Sequence, residues 1–496
     1  MELFRLKRNP RFFDFLLVLI FTVLGFLVMG YHPGLEDDGV YLTAVQSDLN
    51  PALYPYNAQF FRLQVQATVF DDWMADFVRA TGMPVAWAEL LWQFASLFAA
   101  LWASQRIAQR LFAEPSAQWA GVALASAMFT LPVAGTGLYL MDQHLHPRNI
   151  ATALILLAVS RILAQRPWQA VPLLLAACLF HPIMGAMGFS FCLILTAVML
   201  EPAQAWARAW ARPAAAMAPL GWVLGAPNAG WREALATRNY CQIYRWTWYE
   251  WLGALGPLLL FWLLWRVAQR REEKLLARFA LAVFAYCAFQ QAVAMIIQAP
   301  ASLVRLTPLQ PMRYLQIAYF FLALVAGCLL GRYVLRTKAW RWAVFLLVAN
   351  GGMLAAQQME SGAVPHVELP GRQAANPWLE AFAWIRRNTP VDAYFALDPY
   401  YLKAKDEDYH NFRALAERSQ LADAVKDAAV VIQVPVLGPA WERQTQAEEG
   451  WAHFRLADFE RLKGQFGVDW VLVDLPQTAG LDCEWRNQLL AVCRIP

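Results

Sequence analysis

Long apolar runs broken by short polar stretches dominate the first 357 residues, and a run of about 20 apolar residues is long enough to cross a bilayer as a helix. Candidate spans cover 12–31, 86–106, 117–139, 149–164, 168–181, 183–200, 214–228, 251–268, 276–297, 315–335 and 339–357. His181-Pro182 interrupts one apolar stretch and predicts two helices meeting at a turn, while the Ala/Pro/Gly-rich 214–228 reads as a re-entrant or broken helix. Every second loop is basic. Arg5, Lys7, Arg8 and Arg11 precede the first span, and Arg106, Arg110, Arg161, Arg166, Arg208, Arg212, Arg266, Arg270, Arg271, Lys274, Arg332, Arg336, Lys338 and Arg341 follow in alternate loops. Basic loops mark the cytoplasmic side. With about eleven spans the N-terminus is cytoplasmic and the tail lies across the membrane, provided 168–228 contributes an odd number of crossings.

After Gln357 the pattern changes. Leu379, Phe382, Ala383 and Ile385 fall at helical spacing in 377–388, and Leu456, Phe459, Leu462 and Phe466 do so in 454–466. The short apolar runs 393–397, 428–434 and 468–474 read as buried strands, and 481–496 as a terminal hairpin turning at Arg486-Asn487. The expected architecture is therefore a mainly α, polytopic membrane bundle over 1–357 with a small α/β extracytoplasmic domain over 358–496. The long first extracytoplasmic loop, 32–85, contains Asp71–Val78, an amphipathic segment whose Trp73, Phe77 and Val78 are expected at the membrane surface. The first apolar run lacks a small-residue cleavage site and is read as a retained helix.

Composition adds little to this picture. The chain is 59% hydrophobic and 16% charged with a net charge of +4, and its basic residues sit in separate loops, which excludes a nucleic-acid-binding face. The tail has neither a GxGxxG nor a P-loop pattern. The seven cysteines form no CxxC pair; Cys483 and Cys493 face each other in the terminal hairpin, where an oxidising compartment would join them and a reducing one would leave two buried thiols.

The candidate chemistry lies at span boundaries on one side. Glu36, Asp37 and Asp38 follow the first span directly, with Tyr41 one turn later. Carboxylates lodged against a bilayer are costly and point to function, against the plainer reading of a solvated loop start. Asp142, His144, His146 and Arg148 crowd the next extracytoplasmic loop, either as acid–base or metal-ligating groups or as a polar cap before Pro147. Asp38, Asp142 and His144 are the candidate metal ligands, although no metal is specified by their spacing. His181 stands at the helix break, as a site residue or a core histidine. Arg305 and Arg313 lie where basic residues are disfavoured, which suits either a bound phosphate or lipid headgroups. Acids that take a proton from an acceptor, and arginines that hold a departing phosphate, fit transfer from a lipid-phosphate donor.

This arrangement resembles the GT-C superfamily of polytopic membrane glycosyltransferases. The resemblance rests on Glu36-Asp37-Asp38 after the first span, on Asp142 in the loop where some members carry a second acidic motif, and on Arg305 and Arg313 in loop order. Neither place holds a clean DxD, since EDD is contiguous and DQH stands at the second. The tail phrases WLEAFAWIRRNTP, FRALAERSQL and FGVDWVLVD resemble those of uncharacterised bacterial membrane proteins. The resemblance implies an inverting glycosyltransferase of the bacterial inner membrane, using a polyprenyl-phosphate-linked sugar at the periplasmic face, with an acceptor that it does not identify. Asp38 or Asp37 would be the base with Glu36 in support; Tyr41, Asp142, His144, His146, Arg148, His181, Arg305 and Arg313 would bind substrate. A divalent cofactor, magnesium or manganese, is left open. A transporter or flippase of a lipid-linked glycan would need polar groups at mid-span, and a non-catalytic scaffold would tolerate loss of the acids.

Overall fold

The computed structural model describes residues 10–199, 227–298, 301–372, 376–404 and 409–496. Arg5, Lys7, Arg8, Arg208, Arg212 and nearly all of the expected span 214–228 lie outside the described residues.

The chain is mainly helical. Among the described residues seven helices are long and apolar enough to cross a membrane: Arg11–Met29, Val85–Leu111, Pro182–Met199, Trp248–Arg270, Lys274–Gln298, the run Leu303–Leu335 and Ala339–Glu360. Leu252, Leu259, Leu347 and Val348 project from them exposed, as side chains facing lipid would. This is a multi-pass membrane protein. The count of eleven is not reproduced. The expected span 117–139 ends as a helix at Ala127 and continues as a hairpin of β1 (Pro132–Val133) and β2 (Leu138–Tyr139). Gly135 and Gly137, both at positive φ, make its turn, which hydropathy alone does not register. The expected spans 149–164 and 168–181 are the shorter helices Pro147–Leu163 and Pro167–Phe180.

Close approach holds the bundle. Helix Tyr314–Leu330 packs on Pro115–Ala127. A Cβ on Gly327 would stand 2.5 Å from the Ala120 carbonyl oxygen and 2.8 Å from Gly121 Cα. Small residues that let helix backbones touch supply the packing that apolar burial does not provide inside lipid.

The tail carries a five-stranded sheet in the order β4-β3-β5-β7-β6, with β3 Tyr394–Leu397, β4 Ser419–Gln420, β5 Trp470–Asp474, β6 Asp482–Arg486 and β7 Leu490–Arg494. β3 runs parallel to both β4 and β5, and the terminal hairpin β6–β7 adds on antiparallel, with Cys483 opposite Cys493 and the two joined in a disulfide. Helices Pro377–Asn388 and Leu456–Phe466 lie where their periodicity places them. The stretch 428–434 is not a strand: Lys426–Gln433 is a helix. Asp423 Oδ1 accepts the backbone N–H groups of Val425 and Lys426 and starts it. That cap outweighs the β-branched Val430, Val431 and Ile432.

This helix joins the two halves. Its Val430, Val431 and Ile432 share one apolar cluster with Tyr41, Val45 and Phe60 of the first loop and Trp231 of the helix Ala229–Ala236. Helix Phe70–Thr81 belongs to the same cluster. Its Trp73 and Phe77 pack on Trp92, and Trp73 also meets Phe180.

Candidate functional site

The acids after the first span form a short 3-10 turn, Glu36–Gly39. At about three residues per turn, neighbouring side chains point roughly 120° apart, so three consecutive acids cannot share one environment. Glu36 and Asp37 face a cavity of about 300 Å³, whereas Asp38 points away into the protein. The Asp37 side chain is 30% exposed and that of Asp38 2%.

The tail fixes this turn. Glu36 N–H donates to the Tyr409 carbonyl at 2.8 Å and Asn411 N–H to that of Gly34 at 2.8 Å. A side chain at Gly39 would overlap Asn411. Glu36, Tyr409 and Gln310, three residues on the cavity wall, all hold positive φ, a conformation that persists only where the surroundings impose it.

Asp37 lies between two donors, one cationic and one neutral. Lys426 Nζ stands 2.8 Å from its Oδ1 and 2.9 Å from Glu36 Oε2. His146 caps the helix Pro147–Leu163: its Nδ1 accepts the Arg148 backbone N–H at 2.9 Å. A neutral ring that accepts at Nδ1 carries its proton on Nε2, and that atom is 3.2 Å from Asp37 Oδ2. Burial raises the Asp37 carboxyl, but Lys426 and His146 together hold it well below the usual carboxylate range. Asp37 is ionised.

Asp38 is its opposite. Burial, reinforced by the neighbouring Glu89 carboxyl with which it shares a hydrogen bond, raises it well above the usual range. Its Oδ2 accepts the Gly34 N–H at 2.7 Å, and its Oδ1 is 4.0 Å from His144 Nε2. Burial holds His144 down to about 3, so that ring is neutral.

Arg148 and Asp142 satisfy each other. The guanidinium grips the carboxylate twice, at 3.0 and 2.5 Å, and Arg148 alone of the two lines the cavity. A metal shared by Asp38, Asp142 and His144 does not fit this arrangement: both Asp142 oxygens are taken by Arg148, and Asp38 is turned toward a second carboxyl.

Across the cavity stand Arg238 and Arg313. The Nε of each is buried without a hydrogen-bond partner, and neither guanidinium forms an ion pair among the described residues. His181, Pro182 and Leu309 bring the wall down to the start of the membrane helices, and Tyr41 and Lys403 add polar groups to the lining. Arg305 is exposed and does not line the cavity.

Of the residues singled out from sequence, Glu36, Asp37, Tyr41, His146, Arg148, His181 and Arg313 therefore meet in one cavity. Asp38, Asp142 and His144 stand behind its wall. Lys426, Lys403 and Arg238 were not among them. Arg238 lay in plain view in the loop 229–250, but a tail lysine 389 residues from Asp37 carries no local signal.

No protein-family model matches the chain, and no curated protein matches it. Among solved structures it is similar to the archaeal oligosaccharyltransferase AglB from Archaeoglobus fulgidus, in complex with an inhibitory peptide and a dolichol-phosphate, at 14% identity and a TM-score of 0.21. That match covers 93% of this chain, which spans 57% of the other's length.

Proposed function

We propose that the protein is a membrane glycosyltransferase that moves a sugar from a polyprenyl-phosphate carrier to an acceptor in the cavity between the first loop and the tail. The observation that carries this reading is Arg313, a half-buried guanidinium whose Nε is buried without a hydrogen-bond partner and which has no ion-pair partner among the described residues, facing the same cavity as an ionised Asp37. A guanidinium drawn partly out of water without a counter-ion is costly, which suits an anion that arrives with the substrate. A phosphate suits the guanidinium fork.

The chemistry follows from the two ends of the cavity. The acceptor's O–H or N–H attacks the anomeric carbon, the bond from that carbon to the phosphate oxygen breaks, and its electron pair leaves on the phosphate. Arg313 and Arg238 stabilise the charge that develops there, while Asp37 takes the acceptor's proton. Inversion is the outcome of such a single displacement. The carrier's apolar chain would lie along the helices that begin at Pro182 and Leu303. In this reading residues 358–496 form a periplasmic domain over a membrane domain of residues 1–357.

The placement of charge supports transfer over transport. The charged groups of the cavity wall lie in loops, in the tail or at helix ends, as Arg148 and Arg313 do. A transporter needs its polar groups near the middle of the membrane.

Arg313→Ala is expected to weaken binding of undecaprenyl phosphate to the purified protein by about tenfold to a hundredfold, the worth of a charge-assisted hydrogen bond of ~1.5–3 kcal/mol. Arg305→Ala should leave binding within about twofold, as for a solvent-screened surface charge. Equal losses in both variants would remove Arg313 from the donor site, and no binding by the wild type would favour the scaffold reading.

A further inference from the structure

A second cluster lies outside the cavity. His32, at the end of the first span, donates through Nδ1 to Glu368 Oε1 at 2.6 Å, and His410 Nε2 stands 3.1 Å from the same oxygen. One ligand atom from each of the three residues lies within 4.8 Å of the others, and among the described residues this is the one such gathering of His, Cys, Asp and Glu. Both histidine side chains are fully buried and the Glu368 side chain is 16% exposed. His32 Nε2 is buried with no hydrogen-bond partner among the described residues. The wall beside it is backbone: Gly30, at φ +82°, leaves no room for a side chain, whose Cβ would stand 2.7 Å from the His366 carbonyl oxygen and 3.0 Å from His32 Nε2.

We propose that His32, Glu368 and His410 bind a divalent first-row metal, zinc by the chemistry of the donors. Two imidazoles and one carboxylate are a donor set that zinc accepts, and bonds of about 2.0–2.1 Å in a tetrahedron place ligand atoms roughly 3.3 Å apart. The observed 2.6 and 3.1 Å reach that spacing by a small outward shift of the carboxylate. On binding, the proton of each neutral ring moves from the nitrogen that now faces Glu368 to the other ring nitrogen, so both imidazoles bind in their neutral form through the freed lone pair. Water or His366, whose ring centroid is 6.3 Å from that of His32, takes the fourth position.

The site has a structural purpose. Its ligands come from the first loop, the segment after the last span, and the tail. The backbone already pairs these segments beside it, with Tyr31 N–H on the His366 carbonyl, Glu368 N–H on that of Tyr31, and a bridge between Leu35 and His410. A metal there clamps the tail onto the acidic turn without entering the cavity, and the proposal stands whether or not the cavity transfers a sugar.

The test is metal content of the full-length protein, stripped with chelator, incubated with zinc chloride and dialysed. The wild type should retain about one zinc per chain and melt about 5 °C higher than the stripped protein, as a ligand specific for the folded state requires. Glu368→Gln and His410→Gln should each lower the retained zinc at least tenfold, and Asp37→Asn should retain it, which separates this site from the cavity. A wild type that holds no zinc and whose melting is unmoved by it overturns the proposal. So does zinc retained equally by both ligand variants. If neither variant folds, the melting shift of the wild type decides.

Discussion

Asp37→Asn is expected to lower glycosyl transfer by about a hundredfold to ten-thousandfold, the contribution of a positioned general base. Binding of undecaprenyl phosphate should stay within about twofold, because the guanidinium groups that hold it are intact. The substitution is gentle on structure. Lys426 keeps Glu36 as its partner, and the His146 Nε2–H can donate to the new amide oxygen as it does to the carboxylate. What is lost is the capacity to accept a proton. Asp38→Asn should cost no more than a few-fold, since Asp38 does not reach the cavity and an amide oxygen still accepts the Gly34 N–H. The reverse order of effects would make Asp38 the base and would require the turn to rotate during turnover.

The pH profile separates the same two residues. Lys426 and His146 hold Asp37 well below the carboxylate range, so a reaction that needs its ionised form stays flat as pH falls from 8 to about 5. Burial and Glu89 raise Asp38, so a reaction that needed that group ionised would speed up steadily as pH rises through the same window. Transfer by membranes supplied with a donor that supports wild-type turnover, measured at each half unit, distinguishes a flat profile from a rising one.

These two carboxylates also mark how far the sequence could be read. A run of acids at the end of an apolar span, histidines before Pro147, a histidine at a helix break and an arginine on the side where arginine is disfavoured are all local signals, because a bilayer boundary makes charge expensive wherever it occurs. Glu36, Asp37, His146, His181 and Arg313 meeting in one cavity is what that expense predicts. Which acid faces inward is decided by a single 3-10 turn, and nothing in three adjacent letters sets its rotation; Asn411, lying over Gly39, does. Lys426 was illegible for a related reason. The stretch after it is rich in β-branched residues and short, a pattern that cannot tell a strand from a buried helix. Once Asp423 caps it as a helix, its first residue, Lys426, reaches Asp37. The tail's sheet was easier, since β3, β5 and β7 are apolar runs between turn residues, whereas the two-residue β4 was too short to stand out. Span counting failed where a membrane helix gave way to a hairpin at Thr130–Tyr139, because hydropathy measures burial and not conformation.

Asp427→Ala is expected to destabilise the tail by about 3–5 kcal/mol, the cost of stranding a buried cation. Arg413 and Asp427 pair through both arms at 2.7 and 2.6 Å, and their side chains are 2% and 1% exposed. Asp427 Oδ2 also accepts the Asp423 N–H at 2.9 Å, so the same carboxylate steadies the residue that caps the helix Lys426–Gln433. Arg413 in turn presents its carbonyl to the Tyr54 hydroxyl at 2.9 Å, which ties the pair to the first loop. Loss of the carboxylate leaves the guanidinium buried without its paired acid, with the more distant Asp423 carboxyl beside it. A cost of that size is a large part of the 5–15 kcal/mol that holds an ordinary domain together, and it should appear as a lower melting temperature and as faster proteolysis around residues 409–434. Transfer should fall with it, because the helix that loosens is the one that carries Lys426 to Asp37. The double variant Arg413→Met/Asp427→Leu should recover most of the lost stability, as apolar replacements of buried ion pairs do elsewhere. A double variant as unstable as the single would mean that the hydrogen bonds to Asp423, and not the stranded charge, dominate; full stability of Asp427→Ala itself would show that the guanidinium finds water or another acid.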